Sequence, residues 1–350
     1  MSVNYCGDFK QSYQDDMRVM QTPFIRVCIY SFIVLLYVFP LIASSYLISV
    51  VNVIGIAVIG ALGINIVTGF TGQISLGQGA FLGVGAFACS YFMREWGVPF
   101  WFAMPMAGLV TAGVGMVFGI PSLRLKGLYL AIATLAAQFI LEYLFLHLDG
   151  ITGGSNGVFF PSPEIGSLSF DNDKSMYFLI ITAAILAVVF ATNLFRSKDG
   201  RAFVAVRDHY LSAEIMGIHL FKYRLLSFAI SSFYVGIAGA LWGAYTQYIT
   251  PEHFTIHESI NYLAMIIIGG LGSVLGAIYG AIFMTLVPQM LTVLTSVMSE
   301  VFPTAGYFIM SAKEGIFGLI VILFLIFEPD GIAHRWKLIK AYWKLYPFSY

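Results

Sequence analysis

The sequence predicts an all-α integral membrane protein, a polytopic bundle of about ten transmembrane helices with interrupted, glycine-rich helices. The first observation is composition, because 59% of the 350 residues are hydrophobic and only 10% are charged. Soluble domains carry about 25% charged residues. Over half of their surface is apolar already, so a soluble chain could not bury this excess. The second observation is the length of the apolar segments, and the third is the distribution of basic residues between them.

Ten apolar segments meet or approach the roughly 20 residues that a membrane-spanning helix needs. The third and the tenth are short, and the glycine-rich turn Gly269–Gly276 joins the eighth to the ninth. We therefore expect ten spans, with eight or nine as the alternatives. The segments are 24–43, 46–67, 80–93, 98–120, 127–147, 176–195, 225–248, 258–275, 276–298 and 314–327.

The basic residues orient these segments. With the N-terminus in the cytoplasm, all but three of the 18 Lys and Arg residues fall on inner segments, and the outer ones are Arg94, Lys174 and Lys313. Cytoplasmic loops carry such an excess, so both termini are predicted to be cytoplasmic. The chain then divides into a cytoplasmic N-terminal tail at 1–23, a single transmembrane domain at 24–330 and a cytoplasmic C-terminal tail at 331–350.

Two loops are long in this topology. The outer loop, 148–175, is rich in Gly, Ser, Pro and Asn, and the inner loop, 196–224, is basic and has a helical pattern. The polar first 23 residues lack the short basic region, followed directly by an apolar one, that marks a cleavable signal peptide.

A polar, glycine-rich stretch, Thr68–Gly79, lies between two apolar segments. Irregular backbone at membrane depth is tolerated only where protein or a water-filled cavity satisfies its polar groups, and transporters build pathways from such broken helices. An ordinary cytoplasmic turn with small residues for close helix packing has a similar sequence. Both interpretations stay open here. The polar side chains that would line a pathway are Thr71, Gln73, Ser75 and Gln78.

A second glycine-rich segment, Gly269–Gly276, echoes the first. Both open with glycines three residues apart, and both fall at the inner end of a span. Internal repeats are common in transporter folds. Two unrelated glycine-rich turns, in a chain with 35 glycines, explain the echo as well.

The inner loop contains an amphipathic helix pattern over 199–217. Phe203, Val206 and Tyr210 recur at helical spacing, and Asp199 is a candidate N-terminal cap. The apolar stripe of such a helix needs a cover. A partner protein, the membrane surface and the chain's own helix ends are three alternatives that the pattern does not separate.

Several kinds of enzymatic site have no counterpart in the sequence. The chain has no GxxxxGK[ST] phosphate loop, HExxH or GxSxG motif. Cys6, Cys28 and Cys89 are scattered, with no CxxC spacing and no neighbouring His cluster, so no metal site is indicated. Charged residues are nearly absent from the centres of the spans, where proton-driven carriers place them. The sequence therefore predicts a polar path through the membrane with no energy source in this chain. It also predicts no catalytic residue and no cofactor of its own.

With these residues in view, the chain resembles the LivM-type permeases of branched-chain amino-acid ABC importers, within a broader class that serves hydrophobic amino acids, urea and short amides. The matching motifs run in the expected order from about residue 60 to 331. They are 63–65, 68–81, 123–135, 153–157, 200–202, 213–217, 268–273 and 327–331.

The resemblance implies a set of partners. A second permease subunit would pair with the chain, two ATP-binding subunits carrying ATP and Mg²⁺ would dock from the cytoplasm, and a periplasmic solute-binding protein would deliver substrate. The inner helix would couple permease and ATPase, through Gly200, Arg201, Arg207, Asp208, Ala213, Glu214 and Gly217. The broken segment would line or brace the translocation pathway, through Asn65, Thr68, Gly69, Thr71, Gly72, Gln73, Ser75 and Gln78.

Two rival functions remain at this level. One is an importer of the same class that carries urea, short amides or aromatic acids, and the other is a stand-alone secondary carrier. An intramembrane enzyme would need an acidic pair or a His cluster near a membrane face, which the sequence lacks. We expect a multi-pass protein of the bacterial inner membrane.

Overall fold

The computed structural model describes residues 23–123, 125, 127–165, 168–301 and 303–345. Residues 1–22 of the predicted N-terminal tail therefore lie outside the described residues, as do Arg124 and Lys126 and the last five residues of the predicted C-terminal tail. Within the described part the architecture is helical, with four two-residue strands.

Helices form at all ten predicted segments. In chain order they are α1 (Pro23–Ile42), α2 (Ser45–Ile64), α3 (Gln78–Glu95), α4 (Phe100–Gly119), α5 (Leu128–His147), the short α6 (Asp149–Thr152), α7 (Asp173–Arg196), α8 (Lys198–Ile215), α9 (Leu220–Thr246), α10 (Ile256–Gly269), α11 (Val274–Val301), α12 (Pro303–Phe327) and α13 (Ile332–Leu345).

The remaining elements are short. A π-helix, Asn65–Phe70, extends α2, and 3₁₀ turns occur at Ile120–Leu123, Gly154–Asn156 and Pro251–Phe254. Strand β1 (Val158–Phe159) pairs antiparallel with β4 (Tyr248–Ile249), and β2 (Glu164–Ile165) pairs antiparallel with β3 (Leu168–Ser169).

By length and composition, six helices of the described part could cross a membrane, or seven if α12 and α13, bent by 44° at their junction, form one span. The predicted count of about ten is not confirmed. The shortfall has a physical cause at α10, whose 14 residues cover about 21 Å of a hydrocarbon core about 30 Å thick. No helix was predicted in the C-terminal tail, and the structure has the helix α13 there.

The loops gather at two ends of the bundle, as an alternating topology requires. At the predicted outer end, β1 from the long loop pairs with β4, and the Trp101 indole donates to the Glu164 carbonyl at 3.3 Å. At the predicted inner end, the π-helix contacts α8 and the turn after α10. The assignment of that inner end to the cytoplasm stays a prediction.

The centre of the bundle is formed by α2 and α9, and small residues let the helices approach closely. A Cβ atom at Gly115 would lie 2.5 Å from the Ser232 Cβ, and one at Gly85 would lie 2.3 Å from the Gly236 carbonyl oxygen. Close packing at small residues is the usual way in which helices associate in lipid. The helices α3, α4 and α9 are therefore closely packed beside the broken end of α2.

Candidate functional site

The end of α2 departs from regular helix at the predicted break. The last six residues, Asn65–Phe70, form a π-helix, a local widening that occurs often at functional sites. The Thr71 hydroxyl donates to the Ile66 carbonyl at 3.0 Å, and the Thr68 hydroxyl donates to the Gln73 carbonyl at 3.1 Å. These two side chains therefore supply hydrogen bonds to backbone carbonyls around the end of the broken helix.

After the π-helix, the chain runs without regular structure to the start of α3, alongside the middle of α5. The Leu76 amide donates to the Thr134 hydroxyl at 2.9 Å, and the Ala80 amide donates to the Gln138 side-chain oxygen at 2.8 Å. Thr134 and Gln138 lie roughly 9 and 15 Å along α5 from its inner end, at 1.5 Å a residue. The break thus lies at the depth of the spans, which favours the broken-helix interpretation over the cytoplasmic turn.

A cluster of hydrogen bonds, here called the mid-depth cluster, joins three helices at this level. It comprises Gly79 and Ala80 at the start of α3, Gln138 in α5, and Phe254 and Ser259 around the start of α10. The Gln138 amide group donates to the Phe254 carbonyl at 2.7 Å. Its oxygen accepts the Ser259 hydroxyl at 3.0 Å, and that hydroxyl oxygen accepts the Gly79 amide at 2.7 Å.

The mid-depth cluster brings two helix N-termini together inside the bundle, those of α3 and α10. A Cβ atom on Gly79 would lie 2.6 Å from the Thr255 carbonyl oxygen, so this approach requires glycine. The sequence analysis missed Gln138 and Ser259. A glutamine in the middle of an apolar span could have pointed to the cluster, because a polar side chain in lipid needs a partner.

The polar side chains predicted to line a pathway are buried. Gln73 donates from its amide to the Ser227 hydroxyl at 2.9 Å. The Gln73 oxygen, the Ser75 hydroxyl and the Gln78 oxygen are buried with no hydrogen-bond partner in the described residues. Unpaired buried groups are uncommon and call for an explanation such as water or a bound group. Their role in translocation stays a prediction.

The two glycine-rich segments meet at the inner end of the bundle. The Asn65 amide group donates to the Ser273 carbonyl at 2.9 Å, and its oxygen accepts the Gly272 amide at 3.0 Å. The echo seen in the sequence therefore corresponds to a spatial contact, in which one asparagine satisfies the backbone of the second turn.

Arg207 of α8 reaches into the same contact. Its Nη1 donates to the Gly69 carbonyl at 2.9 Å, and its Nε donates to Asp208 Oδ1 at 2.9 Å. A Cβ atom on Gly72 would lie 2.8 Å from the Arg207 Cγ, and one on Gly272 would lie 2.7 Å from its Nη1. We call this set, Asn65, Gly69, Arg207, Gly272 and Ser273, the inner junction.

The helix α8 consists of two parts. His209 has non-helical angles, φ −149° and ψ 84°, which place a kink between them. The first part is covered by the chain itself, since Phe203 is buried and lies edge-on to Tyr223 at a centroid distance of 6.1 Å. The predicted cap at Asp199 is wrong, because the helix begins at Lys198 and the Ser197 hydroxyl accepts the Gly200 amide.

The second part of α8 ends in an exposed tip. Leu211, Ile215 and Met216 have 60%, 86% and 82% of their surface exposed. Glu214 accepts the Gly217 amide through its carbonyl at 3.0 Å, and Gly217 has φ +85°, a conformation that favours glycine. The predicted coupling residues are thus separated. Arg207 lies at the inner junction and Asp208 bonds to it, whereas Ala213, Glu214 and Gly217 lie at the tip.

Comparison with known proteins now decides the family. The family described as the branched-chain amino acid transport system permease component matches residues 46–325. The chain belongs to this family. Its members are membrane components of transport systems rather than enzymes, and the matched range contains both the mid-depth cluster and the inner junction.

Individual relatives of this permease agree with the family. It is 33% identical over 272 residues to the high-affinity branched-chain amino acid transport permease LivM of Escherichia coli and, to the same extent, to that of Salmonella typhimurium. The match covers 71% of the permease and 64% of each of these relatives, less than two thirds of their length. A probable LivH of Methanocaldococcus jannaschii is 28% identical and covers 80% of the permease and 89% of its own chain. No solved structure shows significant similarity.

The described residues of the permease contain no group of three or more His, Cys, Asp or Glu side chains placed to hold a metal ion. Cys28 is exposed and Cys89 is buried, and both carry free thiols. The side chains that meet in the site are amides, hydroxyls, one guanidinium and one carboxylate. Such a set can bind and relay movement through hydrogen bonds.

Proposed function

We propose that the chain is the transmembrane permease subunit of an ATP-binding-cassette importer for branched-chain, hydrophobic amino acids in the bacterial inner membrane. A second permease subunit, two ATP-binding subunits that hold ATP and Mg²⁺, and a periplasmic solute-binding protein would complete it. The substrate class is supported by the family and by the printed names of the relatives.

The observation that carries the proposal is the hydrogen bond from Arg207 to the Gly69 carbonyl. It ties the helix with the exposed tip to the broken end of a membrane span. A force applied at the tip would reach the π-helix across the kink at His209 and through the Arg207 guanidinium. A stand-alone carrier has no partner subunit that would act on such an exposed tip.

The first step of the proposed cycle is docking at the tip of α8. Leu211, Ile215 and Met216 form an apolar end on a helix whose first part is already covered. Burying such side chains in a groove of a partner stabilises the complex by about 25 cal/mol per Å² of apolar surface. Among the three covers that the sequence left open, the chain itself covers the first part of α8. A partner subunit is the cover that we propose for the tip.

The second step is movement of the broken segment. When ATP-driven closure displaces α8, Arg207 would carry Gly69 with it, and Asn65 would carry the turn at Gly272. The mid-depth cluster would hold the starts of α3 and α10 in place meanwhile. The segment between the two, 71–77, would then change its packing and expose Gln73 and Ser75, and the neighbouring Gln78, to a pathway between the permease subunits.

Photo-crosslinking tests the docking step. The photoreactive residue p-benzoylphenylalanine replaces Ile215 in the full-length chain, expressed in its native membrane with its natural partners. We expect an adduct with an ATP-binding subunit, identified by mass spectrometry. The same substitution at Lys174, at the predicted outer end, should give no such adduct. Equal adducts at both positions, or adducts with lipid alone at Ile215, would contradict the proposal.

A further inference from the structure

A groove runs along the bundle between α7 and the packed pair of α4 and α9. Its volume is about 520 Å³. One wall is α7 from Ala183 to Leu194, and the opposite wall is α9 from Ile230 to Ile237. The groove belongs to neither the mid-depth cluster nor the inner junction, so the proposed transport function does not use it.

The walls of the groove are apolar. Every lining residue is hydrophobic, and the single polar atom among the side chains, the hydroxyl of Tyr234, donates to the Ala187 carbonyl at 3.2 Å. Water would be poorly stabilised in such a space, because a buried water molecule needs two to four hydrogen-bonding partners. The natural occupant is therefore a hydrocarbon.

The length of the groove corresponds to one leaflet. The eleven steps from Ala183 to Leu194 cover about 16 Å at 1.5 Å a residue. Half of a hydrocarbon core is about 15 Å. Leu194 lies in the last turn of α7, which ends at Arg196, so the groove occupies the half of the bundle nearer the inner junction.

Exposed basic residues lie along the chain beyond the inner ends of both walls of the groove. On α9, Leu226 lies four residues before Ile230, and Lys222 lies eight residues before it. The Lys222 ammonium lies 5.7 Å from the centre of the Tyr223 ring. On the other wall, α7 ends two residues after Leu194, and Lys198 begins α8 as an exposed residue. Lysines at a membrane surface attract anionic headgroups.

The rim of the groove argues against a second helix as its occupant. Leu186 and Phe190 of α7 are 51% and 65% exposed, and they stand at its open side. Helices that pack in lipid usually present small residues where their backbones approach. Bulky, exposed side chains suit the flexible chain of a lipid better.

We propose that the groove binds an anionic phospholipid of the leaflet at the inner end, with one acyl chain along α7 and the phosphate beside Lys198 and Lys222. Such a lipid would fill the space between α7 and α9 and fix α7, whose last residue leads directly into α8. The site would make the position of α8 sensitive to lipid composition.

The test uses full-length protein, purified with whatever subunits it retains, in nanodiscs of phosphatidylcholine mixed with phosphatidylglycerol. Each lipid in turn carries a diazirine on its acyl chain. We expect labelled peptides from 183–194 and 230–237, with several-fold more label from phosphatidylglycerol than from phosphatidylcholine. Equal labelling by the two lipids would overturn the anionic site, and absence of label from both peptides would overturn the acyl-chain site.

Substitutions locate the two parts of the lipid. Ala187→Phe places a ring in the groove and should reduce labelling several-fold, whereas Val189→Phe, at a half-exposed position of the same helix outside the lining, should leave it unchanged. Replacing Lys198 and Lys222 together by alanine should remove the preference for phosphatidylglycerol, and Lys174→Ala should retain it. Unchanged labelling in Ala187→Phe would overturn the proposal.

A measurement on the wild-type protein tests lipid binding independently of whether the variants fold. Native mass spectrometry of the wild-type protein, released from the same nanodiscs, should show a retained phosphatidylglycerol molecule. If photoreactive p-benzoylphenylalanine at Leu186 crosslinks to a second permease subunit instead of to lipid, the groove is a subunit interface and the proposal is wrong.

Discussion

The mid-depth cluster and the inner junction hold two ends of one broken segment, and they hold them differently. In the cluster, Gln138 and Ser259 are completely buried and bond to three separate elements. In the junction, the Arg207 side chain is 36% exposed and reaches the Gly69 carbonyl through a long, flexible stem. A buried hydrogen-bond network resists movement, whereas the single bond of Arg207 joins the broken segment to a partly exposed helix that can move.

This difference separates two kinds of consequence. Changes in the mid-depth cluster should reduce the stability of the fold, because polar groups would lose their partners inside the bundle. Changes at the inner junction and at the tip of α8 should reduce coupling and leave the protein in the membrane. The predictions below test this division, beginning with the largest effect.

The largest loss of stability is expected for Gln138→Leu. The Ala80 amide, the Phe254 carbonyl and the Ser259 hydroxyl each lose a partner, and at about 1 kcal/mol for each hydrogen bond in a membrane the sum is about 3 kcal/mol. Thermal unfolding in mild detergent measures it. Phe139→Leu, at the next and half-exposed position, is the control. A melting temperature equal to the wild type would show that the cluster does not hold the fold.

A smaller loss is expected for Gly79→Ala. The added Cβ would lie 2.6 Å from the Thr255 carbonyl oxygen, so α3 and α10 must separate. Overpacking of this kind costs about 1–3 kcal/mol. Gly113→Ala in α4 is the matched control, because no atom lies within 4 Å of its Cβ position. That change should be neutral or stabilising by up to about 1 kcal/mol. Equal melting temperatures for the two variants would contradict the close approach.

The smallest structural effect is expected at the tip of α8. Glu214→Lys reverses an exposed charge, and Gly217→Leu puts a side chain at φ +85°, which costs about 1–2 kcal/mol. Both proteins should reach the membrane in normal amounts and show several-fold less uptake per ATP hydrolysed. Glu252→Lys, an exposed charge reversal on the 3₁₀ turn that leads into α10, should have normal coupling. Normal coupled uptake in both tip variants would refute the coupling assignment.

The sequence predicted the positions of the helices well, because apolar segments near the membrane thickness are a direct physical requirement of a span. The predicted count of about ten spans is not confirmed in the described residues. The segments that became α3 and α10 are apolar, yet these helices begin inside the bundle, at Gln78 and Ile256. Their first turns meet there through the hydrogen bond from the Gly79 amide to the Ser259 hydroxyl. Hydropathy does not register the depth at which a helix begins.

The site was predicted in part. The break at 68–79 was visible because its glycines and polar residues interrupt two apolar segments, and Arg207 was visible as a charge on an amphipathic helix. Their contact was not, because 138 residues separate Gly69 from Arg207. Gln138 and Ser259 were missed because each is a single uncharged residue, and only the fold brings them together.

The central claim is that Arg207 transmits movement from α8 to the broken segment. We would measure ATP hydrolysis and leucine uptake together in proteoliposomes that contain the complete importer, comparing Arg207→Ala with Arg94→Ala. Arg94 is an exposed arginine at the predicted outer end, where its Nη2 pairs with Glu95 Oε1 at 3.4 Å, and it is not among the predicted coupling residues. The account predicts that Arg207→Ala retains ATP hydrolysis and loses most uptake, while Arg94→Ala retains both. Full uptake with Arg207→Ala would contradict it.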